Sequence, residues 1–575
     1  MPIFMNRFLF TALTALLLAL NACAPKKETA DVLFTNGNIY TQDAENPSAQ
    51  AIAVKDGRVI WVGSQAEADN WKGEQTEVVD LGGQFVMPGF IEGHGHFSSL
   101  GSSLMNLNFM KSKSWAEIVD MVAEKVKTAK PGEWIIGRGW HQEKWTEAPE
   151  RQVLGYPYHD DLSAVSPDNP VLLSHASGHG LFANAKAMEL AGVSPETPNP
   201  SGGEIVRDSR GEAIGMFEER AQSLIYRAYE SYLATLSQKD LHDNWLKGIE
   251  LAQEDCLRKG ITSFQDAGSD FQELRDYRQL AEDGKLDLRL WVMMRRPYEE
   301  MKDSLAGYPV IDAGNRFFTC RAIKSEVDGA LGSYGAWLLA PYEDKPGFTG
   351  QNTTPLETVQ NIADLCIENG MQLCVHAIGD RANREVLNIF EHTFNTHPDK
   401  KDLRWRIEHS QHLDPADIPR YSQLGVIASM QAIHCTSDAP FVVKRLGEKR
   451  AREGAYPWRS LLDAGAVVTN GTDTPVEDVD PIACYYASVT RRRPDTGLEF
   501  FPEQRLTRKE ALYSYTQANA YAAFEENDKG SIQKGKLADF TVLSKDLINC
   551  TDDEILQTAV LMTIVDGKVR FRKAQ

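Results

Sequence analysis

Near both ends of the chain, apolar and polar positions fall into short β-like runs. Asp31-Val32-Leu33-Phe34-Thr35-Asn36-Gly37-Asn38-Ile39-Tyr40 reads as strand, turn and strand. Ala51-Ile52-Ala53-Val54 runs through Lys55-Asp56-Gly57-Arg58 into Val59-Ile60-Trp61-Val62-Gly63. An Asp-Gly pair between two β-rich runs predicts a hairpin, because its tight turn needs a left-handed backbone that these residues tolerate. The C-terminus repeats this texture, with Ala538 to Leu543, then Val560 to Val565, Asp566-Gly567 and Lys568 to Phe571. Residues 31–85 and 526–575 are therefore expected to form one small β-sandwich from both chain ends. Between them, apolar runs of strand length alternate with helical stretches, which predicts an α/β fold, a (β/α)8 TIM-type barrel over 86–525. Residues 107–250 are long for a barrel loop and contain helical stretches at Trp115–Lys127 and Leu236–Lys259, so an inserted subdomain is expected there. Strand–helix pairs resume near Gly260-Ile261-Thr262-Ser263-Phe264.

The first residues break this pattern. Arg7 is followed by a largely apolar run from Phe8 to Leu20, and then by Asn21, Ala22 and Cys23. The run is short for a bilayer-spanning helix but fits a signal-peptide core. Leu20-Asn21-Ala22-Cys23 resembles the bacterial lipobox, which implies cleavage before Cys23 and a lipid on its sulfur. On this reading residues 1–22 are a lipoprotein signal peptide and 23–30 a lipidated tether. The resemblance places the protein in a bacterial cell envelope. Ala24 after the Cys favours the outer membrane, facing the periplasm.

Composition narrows the partners. A formal net charge of −20 argues against nucleic acid or an anionic membrane surface as a broad partner. The expected partners are a small-molecule substrate and the membrane through the lipid anchor; a homodimer is possible. Seven cysteines remain beyond Cys23, at 256, 320, 366, 374, 435, 484 and 550, without a CxxC spacing. An odd number with several in apolar runs reads as buried free thiols.

The chemistry begins at Val86-Met87-Pro88-Gly89-Phe90-Ile91-Glu92-Gly93-His94-Gly95-His96, an apolar strand ending in His-Gly-His. Residues two apart on a strand share a side, so His94 and His96 can reach one metal, and the intervening Gly allows close backbone approach. Later apolar runs end in His376, in His409 and in Asp473. Barrel enzymes carry their catalytic groups at the C-terminal ends of strands. Neutral imidazoles suit zinc, and a neighbouring Asp can bind the metal and move a proton. His412, three residues past His409, lies on the following turn and is left out of the ligand set.

These segments together resemble the amidohydrolase superfamily, and within it the amidohydrolase family 3 branch that includes N-substituted formamide deformylase-like enzymes. The resemblance spans essentially the whole mature chain. It rests on residues 88–96, Ile323 to Ser333, His376-Ala377-Ile378-Gly379-Asp380-Arg381-Ala382, Arg406-Ile407-Glu408-His409, Gly471 to Val476, and Gly535 to Phe540. It implies a metal site of His94, His96, Lys324, His376, His409 and Asp473 holding one or two divalent ions, zinc foremost. Lys324 would be a strand-end lysine that can be carbamylated and bridge two metals; the alternative is a plain lysine paired with Glu326 or Asp328. His179 and His434 are expected to touch substrate. The chain departs from the family pattern at Ser177, Tyr334 and Ala432, where relatives commonly have Asp, Arg and Pro. The expected reaction is hydrolysis of a C–N bond, a linear non-peptide amide, with Asp473 as proton shuttle. Esterase, lactonase and aminoheterocycle deaminase chemistry on the same site, and a non-catalytic ligand-binding lipoprotein, are the rival readings.

Overall fold

The computed structural model describes residues 28–142, 145–175, 180–200 and 203–574. The chain groups into two compact units. The first runs to Ile91 and adds Gly260–Thr262 and the chain from Leu506 onward; the second holds Glu92–Lys259 and Ser263–Arg505.

In the first unit a four-stranded sheet runs in the order Arg58–Gly63, Ala51–Lys55, Val32–Thr35, Glu77–Asp80. A six-stranded sheet runs Lys568–Arg572, Val560–Val565, Phe540–Leu543, Phe85–Pro88, Asn38–Tyr40, Ser48–Ala49. The two chain ends meet in that second sheet, where Phe540 pairs with Pro88 and Leu543 with Phe85. Both sheets feed one apolar cluster: Phe34 and Ile52 from the first, Val86, Val542 and Ile564 from the second. Both Asp-Gly turns form hairpins, with Asp56 and Gly57 at φ 49° and 72° and Asp566 and Gly567 at 57° and 72°. Two positive φ values in succession match the right-handed twist of the strands they join. The strands on either side of Asn36-Gly37 do not pair with each other. Val32–Thr35 joins the four-stranded sheet and Asn38–Tyr40 the six-stranded one.

The second unit is built on eight strands that pair in chain order: β1 (Phe90–Gly95), β2 (Ile261–Ser269), β3 (Arg289–Met294), β4 (Phe318–Glu326), β5 (Gln372–Ala377), β6 (Arg406–His409), β7 (Ile427–Met430) and β8 (Val468–Asn470). From β2 to β8 every pairing is parallel. Two backbone bonds nearly close the barrel, Asp473 N–H to His94 O and His96 N–H to Thr474 O, both 2.8 Å. Gly471 makes this approach possible: a Cβ there would lie 2.5 Å from Glu92 Oε1 and 2.6 Å from His94 N.

Between β1 and β2 lies a separate six-stranded sheet, in the order Gly203–Arg207, Ala213–Glu219, Gly180–Ala183, Val171–His175, Ile135–Trp140, Leu107–Asn108. Alternate residues of its strands enter different apolar clusters, Leu173, Phe182 and Val206 on one face and Leu172, Leu181 and Ile205 on the other. The sheet is therefore covered on both sides, as the period-two rule requires. One cover is the helix Trp115–Val126, which buries Trp115, Ile118, Val119 and Val122 at helical spacing and is capped by Ser114. The seven described cysteines are free thiols, six of them buried.

Candidate metal centre

The strand-end residues converge at the C-terminal mouth of the barrel. His94 and His96 leave β1 with their rings 5.8 Å apart. The glycine between them is tightly held, since a Cβ on Gly95 would lie 2.6 Å from the Phe264 ring. His409 ends β6, its ring centroid 4.7 Å from that of His94 and 4.4 Å from that of His376 on β5. Asp473 follows β8. His96 Nε2 is 3.3 Å and His94 Nε2 3.7 Å from Asp473 Oδ1, while His434 Nε2 is 4.0 Å from Oδ2. His409 and Asp473 hold left-handed backbones at φ 77° and 57°. For residues other than glycine such conformations cost on the order of 1–3 kcal/mol and collect at functional sites.

Two groups of donor atoms lie within 4.8 Å of one another and can hold a cation: His94, His96 and Asp473, and His409, His434 and Asp473. Asp473 belongs to both. His376 stands outside both, with its Nε2 3.5 Å from Asp328 Oδ1. Lys324, on β4, is 4 % exposed and its side chain makes no ion pair or hydrogen bond with the described residues. The partners that would make it a plain salt-bridge lysine are occupied elsewhere. Glu326 pairs with Arg295, and Asp328 accepts from the N–H groups of Trp337, Ile378 and Gly379 at 2.8–2.9 Å. Cys23 and His179 lie outside the described residues.

Burial governs the protonation states. It lowers the pKa of His94 to about 4 and that of His376 to about 3, in both cases with help from the Lys324 charge. It drives His409 well below its ordinary range, with the neighbouring His376 and His94 adding to the effect. Burial also lowers Lys324, against the pull of Glu408 and Asp473. Asp473 stays charged. Burial would raise it, but a hydrogen bond from His96 and the surrounding imidazoles of His409, His94 and His434 hold it well below the carboxylate range. The result is neutral His94, His376 and His409 near an ionised carboxylate, the kind of donors that zinc takes. The Nε2 atoms of His94, His376 and His434 are buried with no hydrogen-bond partner among the described residues. Leaving such atoms unmet costs about 1–3 kcal/mol each. A divalent cation held with Asp473 would satisfy the Nε2 of His94.

The amidohydrolase family profile matches residues 77–571. The chain belongs to the amidohydrolase family. It is 32% identical to the protein LONG AFTER FAR-RED 3 of Arabidopsis thaliana, over 95% of this chain and 92% of that one. It is 28% identical to the N-substituted formamide deformylase of Arthrobacter pascens, over 94% and 98%. Among solved structures it resembles an uncharacterized metal-dependent hydrolase from Pyrococcus horikoshii OT3, at 27% identity and TM-score 0.72, covering 91% of this chain and 99% of that one. This chain is a metal-dependent, amidohydrolase-type hydrolase.

Behind the histidines of this amidohydrolase stand residues that strand-end spacing passed over. Glu408, fully buried, places Oε2 2.5 Å from His94 Nδ1. Its other oxygen lies 2.7 Å from Nε of the equally buried Arg406. Arg406 also donates to Gln265 Oε1, Gly93 O and Ser429 Oγ at 2.6, 2.8 and 3.0 Å. Gln431 faces His409 Nδ1 at 2.7 Å, and Gln411 faces His434 Nδ1 at 3.0 Å. A signal for Arg406 and Glu408 was present: two charged residues two apart on a short apolar strand must share its interior side. Two of the three departures from the family pattern also find partners, while Ser177 lies outside the described residues. The Tyr334 ring lies 4.0 Å under the Arg445 guanidinium and its OH donates to Asp344 at 3.2 Å. Ala432 N–H donates to Asn470 Oδ1 at 3.0 Å, a bond that a proline could not make.

Proposed function

We propose that this hydrolase cleaves the C–N bond of a linear, non-peptide amide, with Asp473 as the proton shuttle. The observation that carries the reading is the place of Asp473, a buried ionised carboxylate shared by two candidate cation groups. On this reading His94, His96, His376, His409, Asp473 and a Lys324 carbamylated by carbon dioxide would hold one or two zinc ions. When bound, the metal polarises the scissile carbonyl and supplies a nucleophilic water near neutral pH. Asp473 takes the proton of the attacking water and returns it to the departing nitrogen, which leaves as the amine. His434 and His179 face the substrate. Similarity to the formamide deformylase along nearly its full length supports an amide over the other substrates of the family.

The same reading extends to the ends of the chain. The two sheets of the first unit, with their common apolar cluster, support a small β-sandwich. Among the described residues no helix is long and apolar enough to cross a membrane. The lipobox-like segment before Cys23 supports anchoring by lipid to a bacterial envelope, at the periplasmic face of the outer membrane.

Asp473→Asn keeps the side chain's size and one ligand oxygen but removes the base. Turnover should fall about 10²–10⁴-fold, with zinc content close to the parent's. Near-parental turnover in the zinc-loaded variant would remove Asp473 from the mechanism. A matched panel of amides, esters and aminoheterocycles assigns the bond: the highest kcat/KM should fall on an amide. Preference for an ester or an aminoheterocycle overturns the amide assignment, and no turnover at full zinc loading overturns catalysis itself.

A further inference from the structure

An imidazole can bind a metal only through a ring nitrogen that carries no proton. Which nitrogen that is depends on the partner of the other one. For His94 the partner is Glu408, a carboxylate that only accepts, 2.5 Å from Nδ1. Nδ1 therefore carries the proton and Nε2 presents a lone pair. For His409 the partner is Gln431, whose Oε1 lies 2.7 Å from Nδ1. The orientation of that amide is set independently, because its Nε2 donates to Ser429 O at 3.2 Å. His409 also presents a bare Nε2.

His434 is arranged the opposite way. It lies in the first turn of the helix Ala432–Leu446, is 6 % exposed, and its Nδ1 receives a hydrogen bond from Gln411 Nε2 at 3.0 Å. The Gln411 backbone is pinned by Tyr456 N–H, 2.6 Å from its carbonyl oxygen. With Nδ1 used as an acceptor, the ring proton sits on Nε2. That N–H is buried and has no hydrogen-bond partner among the described residues, and Asp473 Oδ2, at 4.0 Å, is too far to accept it. A buried donor left open beside an ionised carboxylate lacks one oxygen acceptor.

We infer that His434, although its donor atom falls in a cation-holding group with His409 and Asp473, is not a metal ligand but an N–H donor to the substrate oxygen that gains negative charge, and that Gln411 is the positioning residue that fixes this tautomer. The inference rests on the hydrolytic reading above. It adds a specificity element: the substrate must bring a carbonyl-type oxygen to His434 Nε2.

The test uses the full-length zinc enzyme, with zinc affinity measured by chelator competition and turnover on the best substrate of the matched panel. In His434→Ala, zinc stoichiometry and affinity should stay within about twofold of the parent, while kcat falls about 10²–10³-fold, the usual loss for one oxyanion donor. His434→Gln restores an N–H donor and should recover part of kcat with zinc again unchanged. In Gln411→Glu a carboxylate would accept from Nδ1–H and reverse the tautomer; kcat should fall nearly as far as in His434→Ala without loss of zinc and with little change in KM. A tenfold or greater loss of zinc affinity in both His434 variants would make His434 a ligand and overturn the inference. So would parental kcat in His434→Ala at full zinc loading. Because the zinc measurement does not depend on the bond cleaved, a failure of the amide assignment or of Asp473 as shuttle appears in the substrate panel and in Asp473→Asn, not here.

Discussion

Glu408→Gln is the substitution that most directly measures how the barrel interior supports the metal site. Glu408, Arg406 and His94 are all fully buried, and the two carboxylate oxygens are divided between the other two side chains at 2.5 and 2.7 Å. Glutamine has the same shape but one acceptor and one donor. Whichever way its amide turns, either Arg406 Nε or His94 Nδ1–H then faces an N–H group. Removing one partner of a buried ion pair costs about 3–5 kcal/mol. Arg406 keeps Gln265 Oε1, Gly93 O and Ser429 Oγ as acceptors. That argues for the lower end, about 3 kcal/mol, as the loss of stability in the metal-free protein. A second loss appears only with metal, because the amide no longer holds His94 in the ligand tautomer. Such outer partners are worth about 10–100-fold in affinity, or about 1.4–2.7 kcal/mol. Urea denaturation of the metal-free and zinc-loaded forms, with chelator competition, separates the two terms. The dependence on pH has a definite sign. Burial would raise Glu408, but Arg406 and His94 outweigh it and hold its pKa below the carboxylate range. A depressed carboxylate contributes stability that is fully present above its unfolded pKa, about 4.3, and is lost as pH falls through the lower folded value. The parent–variant difference should therefore be constant from neutral pH down to about 4 and shrink below that. Parental stability together with parental zinc affinity at pH 7 would refute this account of Glu408.

Three further outcomes are expected. In the metal-free protein, burial holds the pKa of His94 at about 4 and of His376 at about 3, so the unfolded chain takes up protons first as pH falls through about 6.5. Each histidine then removes roughly 1.36 kcal/mol per pH unit down to its folded value, and a denaturation midpoint that does not change between pH 7 and 5 would contradict their buried, neutral state. Lys324→Ala should lose at least one zinc and most activity, with partial recovery on added acetate or propionate; full zinc occupancy and activity in Lys324→Arg, which cannot form a carbamate, would rule out the bridging role. Cys23→Ser should release the protein from the membrane fraction or leave it unprocessed, and labelled palmitate entering that variant as readily as the parent would disprove the lipid anchor.

Legibility in the sequence followed the range of the physical constraint. The Asp-Gly hairpins at 56–57 and 566–567 were legible because a two-residue turn is a local steric problem with few solutions. The destination of the strands beside Asn36-Gly37 was not, because it depends on pairing across the length of the chain: Phe85–Pro88 meets Phe540–Leu543 more than 450 residues away. At the site, His94, His96, His409 and Asp473 were legible as a set because a parallel barrel brings every strand end to one mouth, so a repeated local pattern implies convergence. His376 obeyed the pattern yet lies outside both cation groups, since a strand end fixes the mouth a residue faces but not the last few ångströms. The groups that set protonation were the least legible. Glu408 lay beside His409 in the sequence but serves His94, 314 residues away. Gln431 and Gln411 belong to no spacing rule, and their influence depends on which end of a neutral amide meets a ring nitrogen. Strand-end patterning therefore identifies where imidazoles gather but is blind to which of their nitrogens are bare. In this site that distinction separates a histidine able to hold a metal from one able to hold only a substrate oxygen. His434 was expected at the substrate through family resemblance alone. The physical reason for placing it there is the amide of Gln411, which turns its Nε2 into a donor beside a carboxylate that cannot reach it.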